Sequence, residues 1–156
     1  MVRDEFLVLA RATVIIKRFE GLRLSPYLCS AGVATIGFGA TFYEDGTKVT
    51  LKDPPITLAR AEALLDWHIK TVYLPAVVKL CPALVHESSN RIAAIISWTF
   101  NLGAGQLKSS TLRKRINSGD WEDVPAQIRK WNKAAGVTLK GLTLRREAEA
   151  RMVEAG

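Results

Sequence analysis

At 156 residues, with 48% hydrophobic and 24% charged side chains, the chain is long enough to bury a sizeable core as one domain or as two lobes sharing it. No run approaches the roughly 18 apolar residues of a membrane span, and the dispersal of the basic residues argues against a disordered basic tail. The net charge of +7 instead favours a polyanionic partner: nucleic acid, anionic lipid, or the carboxylate-bearing bacterial wall.

The first 20 residues carry Asp4, Glu5, Arg11, Lys17 and Arg18 among their apolar positions. They read as an amphipathic helix of the mature fold rather than a signal peptide or anchor. Leu9, Ala12, Ile16 and Phe19 recur at helical spacings, so a helix is expected over 4–20, with Gly21 free to close it in the left-handed conformation. Residues 26–29 and 33–38 then read as two short strands around the glycine-containing turn 30–32. Residues 39–56 are rich in Gly, Asp, Thr, Lys and Pro and predict turns with one further short strand.

From Thr57 the pattern is helical. Thr57 is a natural N-cap; Leu58, Ala61, Leu65, Ile69 and Val72 form the buried stripe, and Pro75 is expected to kink or end the helix. A second helix is predicted over about 87–102, stopped by Gly103 and Gly105, followed by shorter ones near 107–117, 121–134 and 143–154. The fold class is therefore α+β, a small sheet near the N-terminus and a mostly helical remainder.

Cys29 and Cys81 make neither a disulfide framework nor a metal site: there is no CxxC pair, and His68 and His86 stand alone. Reduced thiols are the better default, one Cys29–Cys81 bridge remaining open. No metal ion and no cofactor are expected. Trp67, Trp98, Trp121 and Trp131 read as core aromatics before sugar platforms, and Arg145 and Arg146, beside Glu147 and Glu149, as solvated helix pairs.

Glu20 stands out as a candidate acid. The last turn of a helix carries negative partial charge, which favours the neutral form of a carboxyl placed there, and a protonated carboxyl is what protonates a leaving-group oxygen. A surface glutamate on a frayed helix end fits its position equally. In the hairpin, a turn at 30–32 sets Cys29 across from Val33, so Cys29 and Thr35 share a face as diagonal neighbours about 7–8 Å apart, able to hold a water. A half-buried thiol and an ordinary strand threonine are the competing reading.

The segment from Glu20 through Cys29 to Thr35, with eight and then five residues between them, resembles the active-site signature of phage-type lysozymes, glycoside hydrolase family 24. The likeness continues collinearly through FEGLRL at 19–24, TIGFG at 35–39, AIISWTFNLG at 94–103, STL at 110–112, INSG at 116–119, WNKAAG at 131–136 and GLTLRREAE at 141–149. It implies a two-lobed lysozyme fold as one domain over 1–156, a sheet-containing lobe at about 21–56 and a helical lobe at about 57–156 joined by the N-terminal helix, around a cleft. It also implies hydrolysis of the β-1,4 bond between N-acetylmuramic acid and N-acetylglucosamine in peptidoglycan. Glu20, Cys29 and Thr35 take the catalytic positions, and Phe100 and Asn101 match positions lining the cleft. Many members have GYGHT or GFGHT where this chain reads GFGAT at 37–41, so Ala40 replaces a histidine.

A thiol ordinarily titrating near 8.5 is a weak base at neutral pH, so Cys29 and Thr35 are expected to position water, covalent attack by Cys29 being a less favoured route. The resemblance further implies an endolysin for host-cell lysis: a monomer held in the host cytoplasm, admitted to the wall by a holin-type membrane partner. A lytic transglycosylase is the rival enzyme, disfavoured by Thr35, and a degenerate wall-binding module the rival non-enzyme. A nucleic-acid binder would need a recognition motif that the sequence lacks.

Overall fold

The computed structural model describes residues 2–156. Its first helix, α1 (Glu5–Phe19), begins where the Asp4 carboxylate accepts from the Leu7 N–H at 3.1 Å, and buries Val8, Ala12, Ile15 and Ile16 along one face. It stops differently from the expectation. Gly21 is not left-handed; Glu20 itself turns to extended backbone (φ −89°, ψ 135°) while its N–H still donates to Ile16 O at 2.8 Å. The chain thus runs from the helix straight toward a strand, leaving the Glu20 side chain at the junction.

Strands β1 (Arg23–Leu28) and β2 (Ala34–Gly37) pair antiparallel, with Tyr27 opposite Thr35 and Leu28 opposite Ala34. The turn is where the sequence places it: Cys29 N–H donates to Val33 O (3.0 Å), Gly32 N–H donates to Cys29 O (2.8 Å), and Gly32 takes φ +76°. β1 starts earlier than expected and slips register between Arg23 and Tyr27, the stretch holding Pro26, which has no N–H for the ladder. An isolated bridge, Phe42 to Lys48, is what remains of the further strand expected in 39–56.

Helix α2 (Leu58–His68) is capped by the Thr57 hydroxyl, which accepts from Arg60 N–H at 3.1 Å. Pro75 does not end the helical run. The backbone widens into one π turn at Ile69–Tyr73 and continues as α3 (Leu74–Leu80), Pro75 sitting in its first turn, where a missing N–H costs least. A 3-10 segment, Pro82–His86, leads to α4 (Ser89–Leu102), whose eight residues from Ile92 to Thr99 are all buried. α4 packs against α1, and Gly103 (φ +98°) ends it. Gly105 is no stop: it lies within α5 (Ala104–Ser109), and Ser110 then caps α6 (Thr111–Asn117), so the helix expected at 107–117 is two.

The stretch 121–134 is helical only as α7 (Val124–Arg129). A hairpin the sequence reading missed follows, β3 (Lys133–Ala134) and β4 (Val137–Thr138), turning through Ala135 (φ 51°) and Gly136 (φ 79°). The last helix, α8 (Lys140–Ala155), packs on α4 and α7.

The main core gathers Ile16, Leu65, Ile92, Ile96, Trp98 and Leu112 with their neighbours, and a small cluster of Ile36, Val49 and Leu64 ties the hairpin to α2. Trp98 is wholly buried, edge-on to Trp131 at 5.2 Å, and Trp121 packs partly exposed on the same core. The fold class is α+β, as expected.

Candidate active site

Because α1 ends in extended backbone, Glu20 projects where α1, the loop 38–41, the end of α4 and the start of α8 meet. Its carboxyl lines a groove of about 330 Å³ with Phe19, Asn101, Leu139, Leu142 and Arg145. On one side the backbone runs at ordinary contact distance. Gly39 has φ +93°, and a Cβ there would stand 3.5 Å from Glu20 Oε1 and 4.0 Å from the Phe100 ring. A larger groove of about 540 Å³ runs along α1 and α8 but contains no carboxyl group.

Glu20 is held from below by a charge network that the sequence reading took for solvated pairs. That expectation is corrected: Arg145 and Arg146 are 3% and 1% exposed and Glu149 is fully buried. Arg145 donates to the Glu20 carboxylate, to Ser97 O (3.1 Å), to Ser97 Oγ (3.3 Å) and to Glu149 Oε2 (3.4 Å). Arg146 donates twice to Glu149 (2.6 and 2.9 Å) and once to Asn101 Oδ1 (2.9 Å). Ser97 Oγ donates to Glu149 at 2.6 Å. Two cations face two carboxylates, and every member is hydrogen-bonded, which is what makes burying such a group tolerable. Burial still works against both inner charges, pushing the Glu149 carboxyl up and the Arg146 guanidinium down, with their mutual attraction opposing it. Only Glu147 behaves as expected, pairing on the outer face with Arg129 and Arg151. The signal present in the sequence was Ser97, a polar residue inside an otherwise apolar run that two arginines and a glutamate three to four residues apart can satisfy.

The structure brings Cys29 and Thr35 together, as the hairpin geometry predicts. The Val33 and Ala31 backbone N–H groups stabilise the Cys29 thiolate and draw the thiol below its ordinary range. Thr35 is buried, and its hydroxyl donates to Val33 O at 2.9 Å. Neither residue lines the groove at Glu20. Asn101 does, with its oxygen committed to Arg146 and its amide N–H groups left for the groove. Phe100 packs on Tyr73 (ring centroids 4.8 Å apart) beside Gly39. Both cysteines are free thiols. Among the described residues no group of three or more His, Cys, Asp or Glu side chains comes together to hold a metal ion.

A carboxyl held by a buried arginine at the edge of an open groove is the arrangement that general-acid cleavage of a glycosidic bond requires. Residues 17–149 match the family model described as phage lysozyme, and the chain belongs to that family. The endolysin of Acyrthosiphon pisum secondary endosymbiont phage 1 is 37% identical over 150 residues, covering 92% of this chain and 95% of its own. Among solved structures, the endolysin from Escherichia coli O157:H7 phage FAHEc1 matches with TM-score 0.71 and 32% identity, over 92% of this chain and 90% of that one. A P22 lysozyme mutant matches with TM-score 0.75 and 28% identity, over 93% and 96%. The enzyme is a glycoside hydrolase, a peptidoglycan-degrading muramidase of endolysin type.

Proposed function

We propose that the enzyme cuts the N-acetylmuramic acid–N-acetylglucosamine β-1,4 bond in the groove at Glu20, with Glu20 as general acid. The observation that carries this reading is the Arg145 guanidinium against the Glu20 carboxylate. Arg145 stabilises the carboxylate formed as the proton passes from Glu20 to the glycosidic oxygen. Positioned proton transfer of this kind is worth about 10²- to 10⁴-fold.

The family resemblance gives Cys29 and Thr35, which stand outside the lining of that groove, the task of positioning the water that adds to the anomeric carbon. The water's surplus proton leaves to solvent beside the thiol, and the sugar–oxygen bond breaks as Glu20 protonates the departing hydroxyl. Phe100 forms the wall behind the sugar and the Asn101 amide donates to it. Replacing Cys29 with Ala and with Asp tests this assignment. A large loss in Cys29→Ala with activity retained in Cys29→Asp supports water positioning, because a carboxylate holds water but forms the product by the same route. Full activity in the Ala variant removes Cys29 from the mechanism.

Residues 1–156 act as one lysozyme domain, in which the sheet-containing segment at 21–56 depends on the helical remainder through contacts such as Ile36 with Leu64. Coincident unfolding transitions by near- and far-UV circular dichroism test it. The enzyme works as a monomer, is held in the host cytoplasm, and reaches the wall when a holin-type partner opens the membrane. The likeness to endolysins supports action on the wall. Among the described residues no helix is long and apolar enough to cross a membrane. Expression in the cytoplasm of a Gram-negative host should leave cells intact until the membrane is opened with chloroform. Lysis without that step contradicts the route.

A further inference from the structure

A small cavity of about 30 Å³ lies between the loop 38–42 and α2. Gly39, Ala40, Phe42, His68, Tyr73 and Phe100 are among its walls. One water needs roughly 10–15 Å³ of such space, so the cavity has room for one or two small polar groups. His68 is nine-tenths buried, edge-on to Phe42 (4.6 Å) and Trp67 (5.2 Å). Its Nδ1 lies 2.9 Å from Leu64 O. A carbonyl only accepts, so Nδ1 carries the proton, and in the neutral ring Nε2 is left as a bare acceptor on the opposite side. That nitrogen is buried and has no hydrogen-bond partner. Burial also pushes the imidazole below its ordinary 6.5, which keeps it neutral and keeps the lone pair available at neutral pH.

A buried acceptor without a donor is rare in folded proteins, and here its imidazole is among the walls of a cavity large enough to hold one. Ala40 contributes only a methyl group to the same walls. We propose that this cavity is a binding site for a single O–H donor, with His68 Nε2 as its acceptor. The donor is either a resident water or a hydroxyl of the bound glycan entering past Ala40. In both cases the donor sits between α2 and the loop that carries Gly39 beside Glu20, which makes His68 a positioning residue. The glycan source rests on the groove at Glu20 being the substrate cleft; the water source does not.

The test is the ¹⁵N resonance of His68 Nε2 at pH 7.5 in the intact enzyme, recorded alone and with a soluble peptidoglycan glycan fragment. A hydrogen-bonded shift, displaced from the free-acceptor value toward the protonated one, is expected in the enzyme alone if the donor is water. It is expected only after the fragment is added if the donor is a sugar hydroxyl. A free-acceptor shift under both conditions, with the fragment shown to bind by shifts of groove resonances, overturns the proposal. Kinetics on purified walls supply the second reading. His68→Phe, which keeps the shape and removes the acceptor, should lower kcat about tenfold with a water donor, or raise KM about tenfold with a sugar hydroxyl. His68→Gln, which restores an acceptor, should recover most of either loss. Should His68→Phe fail to fold, Ala40→Leu fills the same cavity and should give the same kinetic signature. Values of kcat and KM within twofold of the parent in Ala40→Leu and in folded His68→Phe contradict it.

Discussion

Replacing Glu149 with Gln removes one charge from the network under Glu20 and changes almost no volume. Glu149 is fully buried and accepts from Ser97 Oγ, from Arg146 twice and from Arg145. The Gln amide keeps one acceptor oxygen but turns the other position into a donor facing arginine donors. Arg145 and Arg146 are then left with Glu20 as their sole carboxylate partner, and Glu20 lies at the groove, 23% exposed. Breaking a buried pair by removing one partner costs about 3–5 kcal/mol, because it strands the opposing charge. With a urea slope of order 2 kcal/mol/M, the unfolding midpoint should fall by about 1.5–2.5 M, a large part of the 5–15 kcal/mol usual for a folded domain. Urea unfolding followed by tryptophan fluorescence reads this directly, since Trp98 and Trp131 pack beside the network. A double variant, Arg146→Met with Glu149→Leu, removes charge in pairs and should cost less than Glu149→Gln alone. A midpoint shift under 0.5 M for Glu149→Gln refutes the reasoning, since it means the two arginines need no second carboxylate.

Three further outcomes follow from local chemistry. Cys29 is accessible with its thiol drawn below 9.0, whereas burial pushes Cys81 up to about 11. Iodoacetamide at pH 8 should therefore add one label to the native enzyme and two in denaturant, read by mass spectrometry; rapid double labelling of the native state contradicts the burial of Cys81. Burial lowers His68 below its unfolded 6.5, and the nearby Glu44 charge opposes without reversing this. Its contribution to stability is complete above 6.5 and is lost as pH falls below it, so the melting temperature should drop between pH 7 and 5, and drop less in His68→Phe. Gly39→Ala forces a side chain into φ +93° with its Cβ 3.5 Å from Glu20 Oε1, so about 1–2 kcal/mol of stability should go, with activity falling too. An Ala variant as stable and active as the parent shows that the left-handed backbone at this position carries no strain.

Much of this fold is legible in the sequence because single residues specify it. The Thr57 hydroxyl starts α2, Gly103 stops α4, and Gly32 closes the turn that sets Cys29 beside Thr35. The parts missed share a cause: tertiary context decided them. Arg145 and Arg146 look like surface residues by composition, and only Ser97, Glu149 and Glu20 arriving from three helices make their burial possible. The β3–β4 hairpin has strands of two residues each, too short for an alternating pattern, and places Ala135 in a conformation that glycine or asparagine would have signalled. Gly105 looked like a stop and is helical, and Pro75 was absorbed by a π turn. The chemical pair at Cys29 and Thr35 was readable from register alone, but the arginine that serves Glu20 lies 125 residues away and leaves no local trace.

The initial rate at which a Glu20→Gln variant clears purified peptidoglycan, with the mass of the released fragments, bears most directly on the role given to this carboxyl. Loss of at least about 10²-fold relative to the parent, in a variant that still melts cooperatively, is the predicted result, the parent's fragments each carrying one added water. Clearance by Glu20→Gln within a few-fold of the parent contradicts the account, whatever the state of the hairpin or the network below it.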